Sequence, residues 1–234
     1  MLALSGYQEG IEDDLIRAML SRRPDGLLLT GVVHTPSVQR LLREAGIPVV
    51  EIWDQSPTPT DMLVGFDHAE VGAAVADYFV SAGHTRFAAV MASDPRASQR
   101  RAGYVARLAI HGFIPDVVAI SAAPSGIADG RAAMRSLAPR LAGRTALFCS
   151  SDLVAYGAIS EARHLGLAIP ADIAICGFGD FELSRESELP ATTVRVDGSE
   201  MGRIAAEHLL ARLAGGTPPA RHLVPFHIVP RAST

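Results

Sequence analysis

Residues that could bind a small polar ligand stand directly after two apolar segments of this 234-residue chain, at 145–149 and 173–178. They are Ser150, Ser151, Asp152, Gly179 and Asp180. If the two segments are parallel strands of one sheet, their carboxyl ends meet at a single edge, where open α/β sheets bind ligands. The sequence therefore predicts a crevice that offers hydroxyl and carboxylate groups to a small molecule.

The motifs of common enzyme and metal sites are absent from the sequence. Gly177 and Gly179 follow a predicted strand, but the third glycine and the later acidic residue of a dinucleotide site are missing. There is no G-x-S-x-G, no P-loop and no H-E-x-x-H, and the eight histidines are scattered. Cys149 and Cys176 lack metal-ligand spacing and are expected to be buried, reduced thiols. We therefore expect no catalytic residue, no metal and no cofactor.

Composition narrows the class of protein further. Hydrophobic residues make up 48% and charged residues 20% of the chain, which is ordinary for an α/β protein. A net charge of −4 does not suit a free-standing nucleic-acid-binding domain, which normally has a basic face. The first ten residues lack a basic signal-peptide region, and no apolar run approaches the roughly 20 residues that cross a bilayer. These features predict a cytoplasmic protein without a membrane partner.

Strand and helix patterns alternate along the chain, which predicts parallel sheets with helices on both faces. The clearest helix has an apolar stripe at helical spacing and ends at Gly83. Its stripe consists of Val71, Ala74, Val75, Tyr78, Phe79 and Ala82. A last strand is expected over residues 222–230, after the Gly- and Pro-rich residues 215–219.

Four stretches occur in the order and spacing of one known family. They are GHTRFAAV at 83–90, RRAGYVARLAIHG at 100–112, CSSDLVAYGAISEARHLGLAIPADIAICGFGD at 149–180, and LPATTVRVDGSEMGRIAAEHLLARL at 189–213. Together they resemble the effector-binding region of the lactose/galactose repressor family. RRPDGLLLTGVVHTP, at 22–36, is most similar to the branch that regulates gluconate utilisation.

The resemblance implies a periplasmic-binding-protein-like α/β fold, with two doubly wound parallel-sheet lobes joined by three crossovers. The first lobe would comprise residues 1–66 and 190–219, without the family's first strand and helix, and the second residues 67–189 and 220–234. An effector would bind between the lobes of a homodimer. Operator DNA would be contacted only through an N-terminal helix-turn-helix headpiece, which this chain lacks. The implied function is the effector-binding and dimerisation core of a repressor that senses a sugar acid such as gluconate.

The resemblance also implies which residues contact the effector. Arg100 matches an effector-contacting arginine, and its guanidinium fork suits a carboxylate or vicinal hydroxyls. The alternative is a solvated arginine, as we expect for Arg101. Trp53 and Phe66 match aromatic positions that line the pocket, although simple core packing is the alternative. Thr30, at a strand end, could add a hydroxyl.

The polar residues of the predicted crevice have structural alternatives. Asp152 could cap the helix that begins at Leu153 and also support the pocket, while Ser151 could contact the ligand. Many relatives have an acidic residue where this chain has Gly179, so Asp180 could replace that acceptor. The loss of an acceptor favours an acidic ligand over a neutral sugar. For His34 and Glu51, solvation or a local ion pair is the simpler interpretation.

Two other functions share the predicted fold class. A solute-binding protein for sugar uptake has the same architecture, and the lack of a signal peptide in this sequence argues against it. A Rossmann-like enzyme acting on a small metabolite is the second alternative, and the absent cofactor motifs argue against that one.

Overall fold

A computed structural model describes residues 1–4, 11–32, 34–120, 124–141 and 143–234. The chain divides into two compact units, residues 1–67 with 197–225 and residues 68–196 with 226–234. The elements are, in chain order, α1 (Ile11–Leu20), β1 (Leu27–Thr30), α2 (Pro36–Ala45), β2 (Val49–Ile52), β3 (Met62–Gly65), α3 (His68–Ser81), β4 (Arg86–Ala92), α4 (Pro95–Ile110), β5 (Asp116–Ile120), α5 (Ile127–Leu137), β6 (Thr145–Cys149), α6 (Asp152–His164), β7 (Ile173–Phe178), α7 (Glu182–Glu186), β8 (Thr192–Val196), α8 (Gly198–Leu213), β9 (Arg221–Leu223) and β10 (Phe226–Val229).

The first unit is built on a four-stranded sheet in the order β1-β2-β3-β9, with every pair parallel. All residues of β2 and β3 are buried, as expected of central strands that helices cover. Helix α8 packs on these two strands, and α1 packs against α2. The first unit therefore has its own core.

The second unit contains a six-stranded sheet in the order β10-β8-β7-β6-β4-β5. Only β10 is antiparallel to its neighbour. Helices α3 and α4 pack against each other, as do α5 and α6. Cys149 and Cys176, in β6 and β7, are fully buried free thiols, in agreement with the prediction.

Glycines allow both helix pairs to approach closely. A Cβ at Gly72 of α3 would lie 1.9 Å from the carbonyl oxygen of Arg100 in α4. A Cβ at Gly103 of α4 would lie 1.9 Å from the carbonyl oxygen of Ala69. Since any side chain here would overlap a backbone oxygen, only glycine permits this α3–α4 crossing.

The unit boundaries differ from the expected lobe boundaries at two places. Residues 190–196 were expected in the first lobe, but β8 pairs with β7 in the second unit, and its residues 192–194 are buried there. Residues 221–223 were expected in the second lobe, but β9 pairs with β3 in the first unit. The single strand expected over 222–230 is therefore two strands. Pro225 separates them, because proline has no backbone N–H for a sheet ladder.

Candidate functional site

Strands β6 and β7 are parallel neighbours, so their carboxyl ends lie at the same edge of the second unit's sheet. Ser150 and Ser151 follow β6, and Gly179 and Asp180 follow β7. The adjacency inferred from the sequence is therefore present in the structure. This edge is the part of the second unit where ligands of open parallel sheets bind.

Arg100 is fixed at this edge by groups from three elements. One guanidinium nitrogen, Nη1, lies 2.8 Å from Nδ1 of His68 at the start of α3. The other, Nη2, donates to the carbonyl oxygen of Ser150 at 3.0 Å. The guanidinium carbon lies 4.1 Å from the ring centroid of Phe178, the last residue of β7, which is a cation–π contact. Arg100 is 5% exposed, so the alternative interpretation as a solvated arginine is wrong.

Local sequence explains why Arg100 occurs at this place. Asp94 is the N-cap of α4 and accepts a hydrogen bond from the backbone N–H of Ala97 at 2.9 Å. Pro95 is the first helical residue, where its missing N–H costs nothing. The start of α4 is thus fixed, and Arg100 lies in its second turn. Arg101, the next residue, is exposed as expected.

Ser151, and not Asp152, caps α6. The hydroxyl of Ser151 accepts from the backbone N–H of Val154 at 3.3 Å. Asp152 is instead the first helical residue and is 1% exposed. Its carboxylate accepts from the backbone N–H of Phe181 at 2.8 Å and from the hydroxyl of Thr193. Burial raises the pKa of Asp152, although these hydrogen bonds lower it. The sequence placed the cap one residue too late, because Ser and Asp are equally good caps.

Asp180, a predicted ligand acceptor, is contacted by arginine side chains. Its carboxylate accepts from Nε of Arg195 at 2.7 Å and from Nη2 of Arg231, and Arg185 lies 3.6 Å away. Burial would raise the pKa of Asp180, but the hydrogen bonds from Arg195 and Arg231 lower it below its ordinary value. Both carboxylates of this edge are therefore engaged by the protein itself.

Gly179 has a φ of 129°, a conformation that residues with a side chain rarely adopt. A Cβ at this position would also lie 3.2 Å from the ring of Phe181. An acidic residue at position 179 would therefore be strained in this conformation.

The remaining predicted contacts lie in the first unit. Thr30 ends β1 and is exposed. Trp53 follows β2 with a φ of 67°, an unusual conformation for an aromatic residue, and its ring meets that of Phe66 edge-on at 5.9 Å. Phe66 is 1% exposed and Trp53 is partly exposed, and their role as pocket-lining residues stays a prediction.

His34 and Glu51 form the local ion pair that was one interpretation of the sequence. Nε2 of His34 lies 3.0 Å from Glu51, and Nδ1 lies 3.2 Å from Glu12 of α1. Thr60 also donates to Glu51 from its backbone N–H, at 2.9 Å. Burial lowers the pKa of His34, but the two carboxylates outweigh it and raise that pKa to about 9.

Sequence reasoning missed two features of the site. His68 carried no motif, and only its place at the start of a helix, four residues before Gly72, could have drawn notice. Arg195 and Arg231 reach Asp180 from 15 and 51 residues away, a distance at which no local pattern is informative. Among the described residues, no three His, Cys, Asp or Glu side chains form a group that could hold a metal. The described helices are all too short or too polar to span a membrane.

Comparison with known proteins gives a consistent group of relatives. A family model described as a periplasmic binding protein-like domain matches residues 76–234. The HTH-type transcriptional regulator GntR of Escherichia coli strain K12 is 36% identical over 219 residues, which cover 92% of this chain. The match covers 65% of that relative, so this chain spans somewhat less than two thirds of its length.

Solved structures agree with this result. A LacI family transcriptional regulator from Silicibacter pomeroyi superimposes with a TM-score of 0.92 at 30% identity, covering 100% of this chain and 86% of that one. The transcriptional regulator CelR in complex with cellobiose gives a TM-score of 0.81 at 27% identity, covering 97% and 71%.

Proposed function

Because this chain belongs to the LacI family of transcriptional regulators, we propose that it is the effector-binding and dimerisation core of a repressor that senses a sugar acid such as gluconate. Its periplasmic-binding-protein-like domain binds the effector without catalysing a reaction. By analogy with its HTH-type relatives, operator DNA would be contacted through an N-terminal helix-turn-helix headpiece. Effector binding and operator binding are then coupled, typically by ~1–3 kcal/mol.

The observation that carries the proposal is the buried guanidinium of Arg100 at the edge formed by β6 and β7. A neutral sugar needs both donors and acceptors, because each hydroxyl group can donate and accept. At this edge the carboxylates of Asp152 and Asp180 are engaged by Thr193 and by arginines. An anionic group, which only accepts, suits the guanidinium of Arg100 beside carboxylates that already accept from the protein. The cellobiose complex of the relative CelR supports a carbohydrate-like effector.

Arg100→Ala is expected to weaken gluconate binding about 10- to 150-fold, since hydrogen bonds to charged groups contribute about 1.5–3 kcal/mol. Isothermal titration calorimetry of the wild-type protein and the variant measures the effect. Arg101→Ala is the matched control, because Arg101 is the exposed neighbour on the same helix and should leave affinity unchanged.

Glucose, the uncharged counterpart, tests the chemical class of the ligand in the same titrations. We expect wild-type protein to bind gluconate more tightly than glucose. Equal or tighter binding of glucose would refute the sugar-acid assignment. Denaturant unfolding of Arg100→Ala must accompany the titration, because this side chain is buried and an unfolded variant would also bind nothing.

The core is also proposed to form a homodimer, as a two-fold symmetric operator requires. Three helical segments are candidates for the contact, at 37–45, 71–82 and 132–141. Half of the residues of α3 are buried within the second unit, and α2 exposes charged residues such as Arg40 and Glu44. We choose the outer face of α5, which exposes Ile127, Ala128 and Ala132 and whose two arginines are paired with Glu161 of α6.

Sedimentation at micromolar concentration is expected to give about twice the chain mass of 24.7 kDa. An obligate interface buries about 2,000 Å² or more, so one central charge should disrupt it. Ala132→Glu is therefore expected to sediment as a monomer. Ala109→Glu, at an exposed position of α4, is the control that should remain dimeric. A monomeric wild-type protein would contradict the dimer, and a dimeric Ala132→Glu would contradict the choice of α5.

A further inference from the structure

His68 and Arg100 form a buried pair whose geometry restricts the protonation of the histidine. Arg100 Nη1 lies 2.8 Å from Nδ1 of His68, and His68 is 1% exposed. A guanidinium can only donate hydrogen bonds. Nδ1 must therefore be the acceptor, so the imidazole is neutral and carries its proton on Nε2. A proton on Nδ1 would place two donors against each other, and a proton on both ring nitrogens would also bring two positive charges together.

Packing against Phe178 also holds the pair of His68 and Arg100 in place. The ring of His68 is tilted against that of Phe178, with centroids 6.1 Å apart, and the guanidinium of Arg100 lies on the same Phe178 ring. Gly72, one turn after His68, brings α3 against the backbone of Arg100 itself. His68 is consequently held at a fixed distance from the guanidinium, and a second acceptor, the carbonyl of Ser150, fixes the other nitrogen.

We propose that His68 is a positioning residue for the anionic group of the effector, which it serves by orienting the guanidinium plane of Arg100 through Nδ1. The inference rests on the proposed function for its ligand and on the contacts described above for the pairing. An arginine with unrestrained torsions would lose side-chain entropy on binding, and preorganisation removes that cost. The acceptor at Nδ1 is thus the part of His68 that matters for affinity.

Two substitutions separate the acceptor from the packing. In His68→Asn the side-chain oxygen can occupy the position of Nδ1, so most of the gluconate affinity should remain. In His68→Leu the volume is largely kept and the acceptor is lost, so affinity should fall about tenfold or more. His164→Leu, at an exposed position of α6, is the control for loss of a histidine. Equal affinities for the Asn and Leu variants would overturn the proposal.

A double-mutant cycle tests whether His68 acts through Arg100. With Arg100→Met as the background, His68→Leu should change gluconate affinity little, because the group that it orients is gone. If His68→Leu weakens binding by the same factor in both backgrounds, His68 does not act through Arg100 and the proposal fails.

The ligand-free protein provides a readout that does not depend on the identity of the effector. Long-range ¹H–¹⁵N spectra of the imidazole nitrogens, assigned with His68→Asn, should show a neutral His68 with its proton on Nε2 at pH 7. Arg100→Met should weaken this preference. A proton on Nδ1 in the wild-type protein would overturn the inference. If His68 shows the expected tautomer but the wild-type protein does not bind gluconate, the pairing of His68 with Arg100 is retained. The sugar-acid assignment is then refuted.

Discussion

Gly72→Ala is expected to destabilise the protein by about 3 kcal/mol or more, at the upper end of the range for overpacked cores. The added Cβ would lie 1.9 Å from the carbonyl oxygen of Arg100, and backbone cannot yield as a flexible side chain can. Helices α3 and α4 must therefore separate, and His68 and Arg100 would move apart with them. Denaturant unfolding should show the loss of stability, and calorimetry should show lost gluconate binding.

Gly202→Ala is the matched control for this substitution. Gly202 lies within α8, and a Cβ there would meet no atom within 4 Å. Alanine has a higher helix propensity than glycine by up to about 1 kcal/mol, so this variant should be slightly more stable than the wild-type protein. If Gly72→Ala were as stable as Gly202→Ala, the close crossing of α3 and α4 would be wrong.

Stability is expected to fall by about 3 kcal/mol as pH rises from 6.5 to about 9, through the deprotonation of His34. The folded protein holds this proton more tightly than the unfolded chain, because Glu12 and Glu51 contact both ring nitrogens. Below pH 6.5 both states are protonated and the full stabilisation is present. Between the two pKa values only the unfolded chain releases the proton, so unfolding becomes easier.

Chemical denaturation at a series of pH values measures this effect. His34→Gln removes the titrating group, so its stability should be lower at pH 6 and nearly independent of pH between 6.5 and 9. The wild-type and variant curves should therefore converge near pH 9. Parallel curves would show that His34 does not hold its proton in the folded state. That result would contradict the buried ion pair.

The fold could be predicted from the sequence because its signals are local. Strands such as β6 and β7 are continuous apolar runs, and the polar residues after them mark the edge where ligands bind. Arg100 was singled out through the family resemblance, and Asp94 and Pro95 fix the start of the helix on which it lies. The start of α6 differs from the prediction by one residue, so Ser151 and not Asp152 is its N-cap.

What could not be predicted depends on groups that are distant in sequence. The contacts of Asp180 with Arg195 and Arg231, which lie in β8 and after β10, could not be foreseen from local sequence. The burial of Phe66 likewise depends on residues that pack over its side chain. The assignment of β8 and β9 to their sheets likewise depends on pairing partners, which short-range periodicity does not specify.

The position of Trp53 makes the two units distinguishable by spectroscopy. It is the only tryptophan of the chain and lies in the first unit, against the edge of Phe66 and over Gly198. Three of the four tyrosines, Tyr78, Tyr104 and Tyr156, lie in the second unit. Selectively excited indole emission therefore follows the melting of the first unit, while the phenol bands follow mainly the second. Coincident or separated transitions of these two signals would directly report whether the units unfold cooperatively.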